Sequence, residues 1–174
     1  MSLRMPVPDK ATIARRGEIV AKLQKIAGSN AVIADEDGRR TFETDGLNAY
    51  RAMPLVVVLP QTTDEVAAIL RYCHGEGIKV VARGAGTSLC GGALPLEDAV
   101  VVGVSRMNKV LELDYDNRFA RVETGITNLA ISNAVAAEGF FNAPNSIYPT
   151  LANTAICEGA PNSSSESPIP LNST

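Results

Sequence analysis

An α+β domain is the fold class this sequence predicts, and three observations carry it. A continuous apolar run, Leu55 to Leu59, is followed by a capped amphipathic segment, a second apolar run from Ile78 to Ala82, and a glycine-rich turn. A third apolar run, Ala99 to Val104, comes next. After Lys109 the pattern changes to two alternating segments around a short polar turn, which is the mark of an antiparallel hairpin. Alternation of strand and helix early, with antiparallel strands later, fits α+β better than a purely doubly wound sheet.

The elements follow in order. Ala11 to Ala27 sets Ile13, Ile19, Val20, Leu23 and Ile26 on a helical stripe, with Arg15, Arg16, Glu18, Lys22 and Lys25 left for solvent and Gly28 as the stop. Ala31 to Ala34 is a short strand candidate, and the polar stretch Asp35 to Asp45 follows it. Leu55 to Leu59 reads as a buried strand closed by Pro60. Thr62 and Glu65 have the spacing of a capping box, with Asp64 in the first turn and Val66, Ile69, Leu70 and Cys73 as the inner face. Gly75 and Gly77 terminate that helix, and the next strand, Ile78 to Ala82, delivers Arg83 into the glycine turn. Val110 to Tyr115 and Phe119 to Thr124 form the hairpin around Asp116-Asn117-Arg118. A last helix spans Asn128 to Glu138, capped by Thr127, with Leu129, Ile131, Ala134 and Val135 inward and Gly139 as its stop. Two regions result: residues 1–146, and a Ser/Pro-rich tail, 147–174, which lacks anything to bury and is expected to be mobile.

Composition narrows the function classes. The 174 residues suffice for one ordinary core, and with no Trp that core is built mainly of Val, Ala, Leu and Ile. Sixteen basic against nineteen acidic residues give a formal charge of −3, so nothing electrostatic favours nucleic acid as a partner. No apolar run approaches the roughly 20 residues of a membrane span, and the N-terminal residues lack the pattern of a secretory signal. A cytoplasmic protein is the expectation. Cys73, Cys90 and Cys157 are odd in number and widely spaced, and one histidine, His74, excludes a multi-histidine metal centre within one chain. His74 follows Cys73 on a helix and reads as a structural, partly exposed residue; Asp64, Glu65 and Glu76 read as helix-end or surface charges. No catalytic residue and no metal ligand is assigned.

The turn Arg83-Gly84-Ala85-Gly86-Thr87-Ser88-Leu89-Cys90-Gly91-Gly92-Ala93 is where chemistry concentrates. Four glycines permit tight backbone paths and close approach to a ligand, and successive N–H groups aimed at one point bind anionic oxygens. Thr87 and Ser88 add hydroxyl donors, and Arg83 places a cation at the strand end. The bland alternative is that the glycines relieve crowding where the strand turns over another element. The third glycine of the Rossmann fingerprint is missing, and no Gly-Lys-Ser/Thr follows as a mononucleotide loop requires. What remains is a non-Rossmann loop for a pyrophosphate-bearing cofactor.

Three segments together resemble a known family: Pro60-Gln61-Thr62-Thr63-Asp64-Glu65-Val66, then Val80 to Ala93, then Arg121-Val122-Glu123-Thr124-Gly125-Ile126. They are similar to the N-terminal half of the FAD-binding domain of the vanillyl-alcohol oxidase and p-cresol methylhydroxylase (PCMH) type. Within it the chain looks most like the branch holding the flavin-bearing subunit of glycolate oxidase and FAD-linked D-lactate or D-2-hydroxyacid dehydrogenases. Arg106 to Leu111 and Asn128 to Ser132 resemble that branch too, and the likeness runs from about residue 10 to residue 146.

The resemblance implies FAD as cofactor. Its pyrophosphate would lie on the backbone of Gly84, Ala85, Gly86, Thr87 and Ser88, with Gly91, Gly92 and Ala93 continuing toward the ribityl and flavin region and Arg83 supporting the loop as much as touching ligand. Pro144, in Ala143-Pro144-Asn145-Ser146, would match a cofactor-side Ala-Pro-Asp-Pro segment, though the second Pro is absent here. The family's later Gly-Gly-Asn and Asn-x-Gly-Gly segment is not recognisable in Ala155 to Ala160. The implied activity is FAD-dependent oxidation of glycolate, D-lactate or a similar 2-hydroxyacid to the 2-oxoacid. The complete enzyme would be cytoplasmic or peripherally membrane-associated through other oxidase subunits. No counterpart of the family's cap domain is found, so the expectation is a truncated chain that binds FAD without turnover on its own. The alternative from another class is an inactive flavin-domain fragment serving as a scaffold, whose open groove favours self-association or pairing with a subunit.

Overall fold

A computed structural model describes residues 5–47 and 49–142. Ala143-Pro144-Asn145-Ser146 and the Ser/Pro-rich tail lie outside the described residues. In chain order the elements are α1 (Lys10–Ala14), α2 (Arg16–Ala27), β1 (Val32–Ile33), α3 (Glu36–Arg40), β2 (Val56–Val58), α4 (Thr63–Gly75), β3 (Lys79–Arg83), β4 (Ala99–Gly103), β5 (Val110–Asp114), β6 (Phe119–Val122) and α5 (Asn128–Val135). Short 3₁₀ turns occupy Ser29–Ala31 and Ala136–Glu138. The described residues divide into two compact units, the first ending at Val104 and the second beginning at Ser105.

In the first unit, β2 and β4 are apolar at every position except Gly103, and such strands are stable only when both faces are covered. Every residue of both is buried. β4 pairs in parallel with β2 and with β3, and β1 adds antiparallel to β2, so the sheet order is β1-β2-β4-β3. The strands from Leu55 and from Ile78 thus stand near one another on either side of β4, whose uniformly apolar sequence claims the central position. Val56, Val58, Val100 and Val102 share one cluster with Ile19, Leu23 and Ala27 of α2 and with Ile69 and Cys73 of α4. The two-residue period of the strands puts these valines on one face and Val57 and Val101 on the other.

The helices of this unit depart from the sequence reading in three places. One helix was expected over Ala11 to Ala27, but the chain bends at Arg15 (φ −84°, ψ 4°), dividing it into α1 and α2. The bend sends Arg15 outward to Glu18 and Glu76, while Arg16, expected in solvent, donates from Nε to Leu55 O at 2.9 Å and from Nη2 to Ala34 O. α3 lies inside the stretch read as merely polar. Its signal is electrostatic: Asp35 caps Gly38 N–H at 2.7 Å, Glu36 and Asp37 occupy the first turn, and Arg39 and Arg40 the last. On α4 the cap is as expected, Thr62 Oγ1 accepting from Glu65 N–H, whereas Glu65 reaches back to Gln61 N–H. Ile69 and Cys73, four residues apart, are fully buried, but Leu70 is exposed. One residue past Ile69 is 100° around the helix, beyond the covered face.

The second unit is built on the hairpin of β5 and β6, which are antiparallel with an irregularity between Val110 and Glu112. That shift turns Leu111 outward. The turn is held by Asp114, which accepts from both Asn117 N–H and Asn117 Nδ2. Val122, Ile126 and Ile131 form a small cluster with Val110 and Ala120 packed on it. On α5, Thr127 caps Ala130 N–H at 3.1 Å as expected, but the inward residues are Asn128, Ile131 and Val135; Leu129 and Ala134 are exposed. The α-helix stops at Val135 and tightens before Gly139, three residues earlier than its sequence suggests.

Beside β4, Asp98 is almost fully buried and accepts from Lys79 Nζ and from Asp9 N–H, both at 2.7 Å. Burial pushes its carboxyl up, but the bonds from Lys79 and Asp9 and the Lys79 charge outweigh it, so the group sits below its ordinary 3.8. The stabilisation is present above the unfolded-state value and is lost as pH falls through the lower folded value. Asp98→Asn is expected to cost about 2 kcal/mol at pH 7, the partner ammonium being half exposed. Thermal melts of both proteins check this: the gap in midpoint should narrow below about pH 4.

Candidate cofactor-binding site

Parallel strands deliver their following loops to one edge of a sheet, and the glycine turn begins where β3 leaves it. Val104 N–H donates to Arg83 O at 3.0 Å, the last ladder bond at that end. Beyond it, among the described residues, the backbone N–H groups from Gly84 to Leu89 donate to no protein acceptor. Ala85, Leu89 and Cys90 are exposed, and Gly84, Thr87 and Ser88 are partly so. A run of unpaired donors at an accessible turn can be satisfied by an anion.

Arg83 organises the turn from beneath. Its Nη1 donates to Thr44 O at 2.7 Å and to Ala93 O at 3.1 Å, and its Cζ lies 5.4 Å from the centroid of the Phe42 ring. Burial pulls the guanidinium below its ordinary value, and the charge of Asp45 opposes that pull. Gly86 is directly over it: φ is +74°, and a Cβ there would stand 2.5 Å from Arg83 Cζ and 2.8 Å from Nε. The position demands glycine for both its backbone and its lack of a side chain. Ser88 Oγ accepts from Cys90 N–H at 3.3 Å and Gly92 N–H at 3.2 Å, which closes the second half of the turn and leaves the hydroxyl proton free to donate. Leu94 N–H returns to Gly91 O.

The structure thus brings Arg83, Gly86, Ser88, Gly92 and Ala93 together, with Gly84, Ala85, Thr87 and Gly91 on the same loop. Pro144 lies outside the described residues. Sequence reasoning missed Phe42, Thr44, Asp45 and Gly46. Asp45 is buried, its Oδ1 accepts from Leu47 N–H at 2.9 Å, and its Oδ2 has no partner. The other reactive groups play no part in the turn. His74 is exposed on α4, and burial pushes the Cys73 thiol up to about 11. No group of three or more His, Cys, Asp or Glu side chains suited to a metal exists among the described residues. No helix among them is long and apolar enough to cross a membrane. Backbone donors without acceptors, a cation beneath them, and a glycine where any side chain would collide fit the pyrophosphate of a dinucleotide.

Comparisons with known proteins agree on the cofactor. The family described as "FAD binding domain" matches residues 54–168. Glycolate oxidase subunit GlcD of Escherichia coli is 44% identical over 131 residues, covering 75% of this chain and 26% of that protein. D-lactate dehydrogenase of Archaeoglobus fulgidus is 38% identical over 115 residues, covering 66% of this chain and 26% of that one. Among solved structures, p-cresol methylhydroxylase superposes with a TM-score of 0.65 at 19% identity, over 75% of this chain and 26% of that chain, which establishes the PCMH-type fold. The chain therefore spans about a quarter of the length of the curated relatives it matches.

Two glycine substitutions separate the causes. Gly91 has φ +78° with nothing within 4 Å of a Cβ, so Gly91→Ala bears only the backbone term, about 1–2 kcal/mol. Gly86→Ala adds the collision with Arg83 and is expected to cost at least about 1 kcal/mol more. Chemical denaturation of the two variants against the wild type checks the difference.

Proposed function

The chain belongs to the FAD binding domain family, as part of the flavin-dependent oxidoreductases related to glycolate oxidase and D-lactate dehydrogenase, and on that premise we propose where its cofactor is held and what it oxidises. The pyrophosphate of FAD lies on the backbone N–H groups of Gly84, Ala85, Gly86, Thr87 and Ser88. Gly91, Gly92 and Ala93 continue the cradle toward the flavin, and Pro144 borders it. The observation that carries this reading is the run of unpaired N–H groups above the half-buried Arg83 guanidinium.

In this reading Arg83 contributes in two ways. It locks the loop through Thr44 and Ala93, and its positive charge, partly withdrawn from water, favours an anion on the outer side of Gly86. The Ser88 hydroxyl donates to a phosphate oxygen while accepting from Cys90 and Gly92, so ligand binding and loop closure reinforce one another. Bound FAD supplies a two-electron acceptor for a hydride from a substrate carbon. The substrate we propose is a small 2-hydroxyacid such as glycolate or D-lactate, because the names of both relatives place such acids in their chemistry. The first relative is called a subunit, and we extend to this chain the expectation of partner subunits, in the cytoplasm or at the membrane surface.

Titration with FAD, followed by flavin fluorescence, tests the cofactor assignment. Saturable one-to-one binding is expected, weakened more than about tenfold in Arg83→Met. Absence of binding at high micromolar FAD would sink it. For the substrate class, anaerobic bleaching of the purified flavoprotein's absorbance by glycolate or D-lactate is expected; bleaching by neither, with bleaching by a compound lacking the 2-hydroxyacid group, overturns the assignment.

A further inference from the structure

The glycine turn is braced by a segment that carries no cofactor motif. Thr44 O accepts from Arg83, Asp45 folds its Oδ1 onto Leu47 N–H, and Gly46 is pressed against the turn itself. A Cβ on Gly46 would stand 2.8 Å from the Thr87 carbonyl oxygen and 3.0 Å from that of Ser88. Gly46 is not among the glycines with positive φ, so the contact alone excludes a side chain.

The contact has a directional consequence. In a planar trans peptide the C=O and the following N–H point in opposite directions. At Thr87 both the carbonyl oxygen and its carbon crowd the site of that Cβ, at 2.8 Å and 3.0 Å. Each of these carbonyls shares a rigid plane with the N–H that follows it, so a group pushing on the Thr87 and Ser88 oxygens re-aims the N–H groups of Ser88 and Leu89, and neither N–H has an acceptor among the described residues. Any side chain at position 46 would tilt those two planes.

We propose that Thr44-Asp45-Gly46 is a positioning strut for the pyrophosphate turn, in which the bare backbone of Gly46 orients the Ser88 and Leu89 N–H groups toward the dinucleotide. This rests on the reading of the turn as the FAD site. Asp45 gives the strut its bend and sets a negative charge near Arg83, which helps keep that guanidinium charged beneath the turn. Ordering those donors before the ligand arrives is the preorganisation that makes such a site bind well.

The test compares Gly46→Ala with Gly17→Ala, a control whose Cβ would meet nothing within 4 Å. Gly46→Ala is expected to shift the apo amide resonances of Ser88 and Leu89 while most others stay in place, and to weaken FAD binding more than about fivefold; Gly17→Ala should do neither. A Gly46→Ala protein that binds FAD within about fivefold of wild type overturns the proposal. Should that variant not fold, hydrogen exchange in the wild type decides: the Ser88 and Leu89 amides exchange freely without FAD and slow when it is saturating. Equal exchange rates with and without FAD overturn the strut. Wild-type protein that does not bind FAD overturns the pyrophosphate reading instead.

Discussion

A guanidinium held under a turn is the constraint on which the site depends. A cation partly withdrawn from water needs acceptors, so Arg83 at the end of β3 must find carbonyls nearby, and those of Thr44 and Ala93 supply them. Satisfying that one group brings three remote segments together: the start of the turn, its far end, and a stretch about forty residues earlier. Gly86 is the corollary. Only a residue without a side chain and at ease with φ +74° can cross above the guanidinium.

The sheet explains why the turn stands where it does. β2, β4 and β3 run parallel, so the loops after their carboxyl ends emerge at one edge, the place where open α/β sheets bind ligands. α4 returns the chain from β2 to β3, and the central β4 is fully buried, so β3 has a rigid neighbour along its whole length. Rigid support matters because a nest of backbone donors has no side chain to adjust. The direction of each N–H is set by the planes the scaffold imposes.

Much of this was legible in the chain. Valine-rich runs marked the parallel strands, Thr62 and Thr127 marked helix starts through their caps, and the glycine turn with its flanks pointed to the FAD-binding fold. What escaped had no local signal. The bend at Arg15 accompanies bonds from Arg16 to the carbonyls of Leu55 and Ala34, contacts made by folding rather than by pattern. α3 has no buried residue, so apolar periodicity could not announce it. Leu70 and Leu129 are apolar yet exposed, and hydrophobicity alone placed them inside. In the site, residues contiguous with the glycines were found, but Phe42, Thr44, Asp45 and Gly46 were not. They lie about forty residues away in sequence, and Phe42, Thr44 and Gly46 act through contacts with the turn that the fold alone creates.

The central claim is that phosphate recognition here is the work of backbone N–H groups ordered over Arg83. A crystal structure of the chain with FAD tests it most directly. The account expects phosphate oxygens within hydrogen-bonding distance of N–H groups between Gly84 and Ser88, with the Arg83 bonds to Thr44 and Ala93 preserved. Phosphates held mainly by side chains elsewhere, or an Arg83 withdrawn from those carbonyls to grip the ligand, would contradict it.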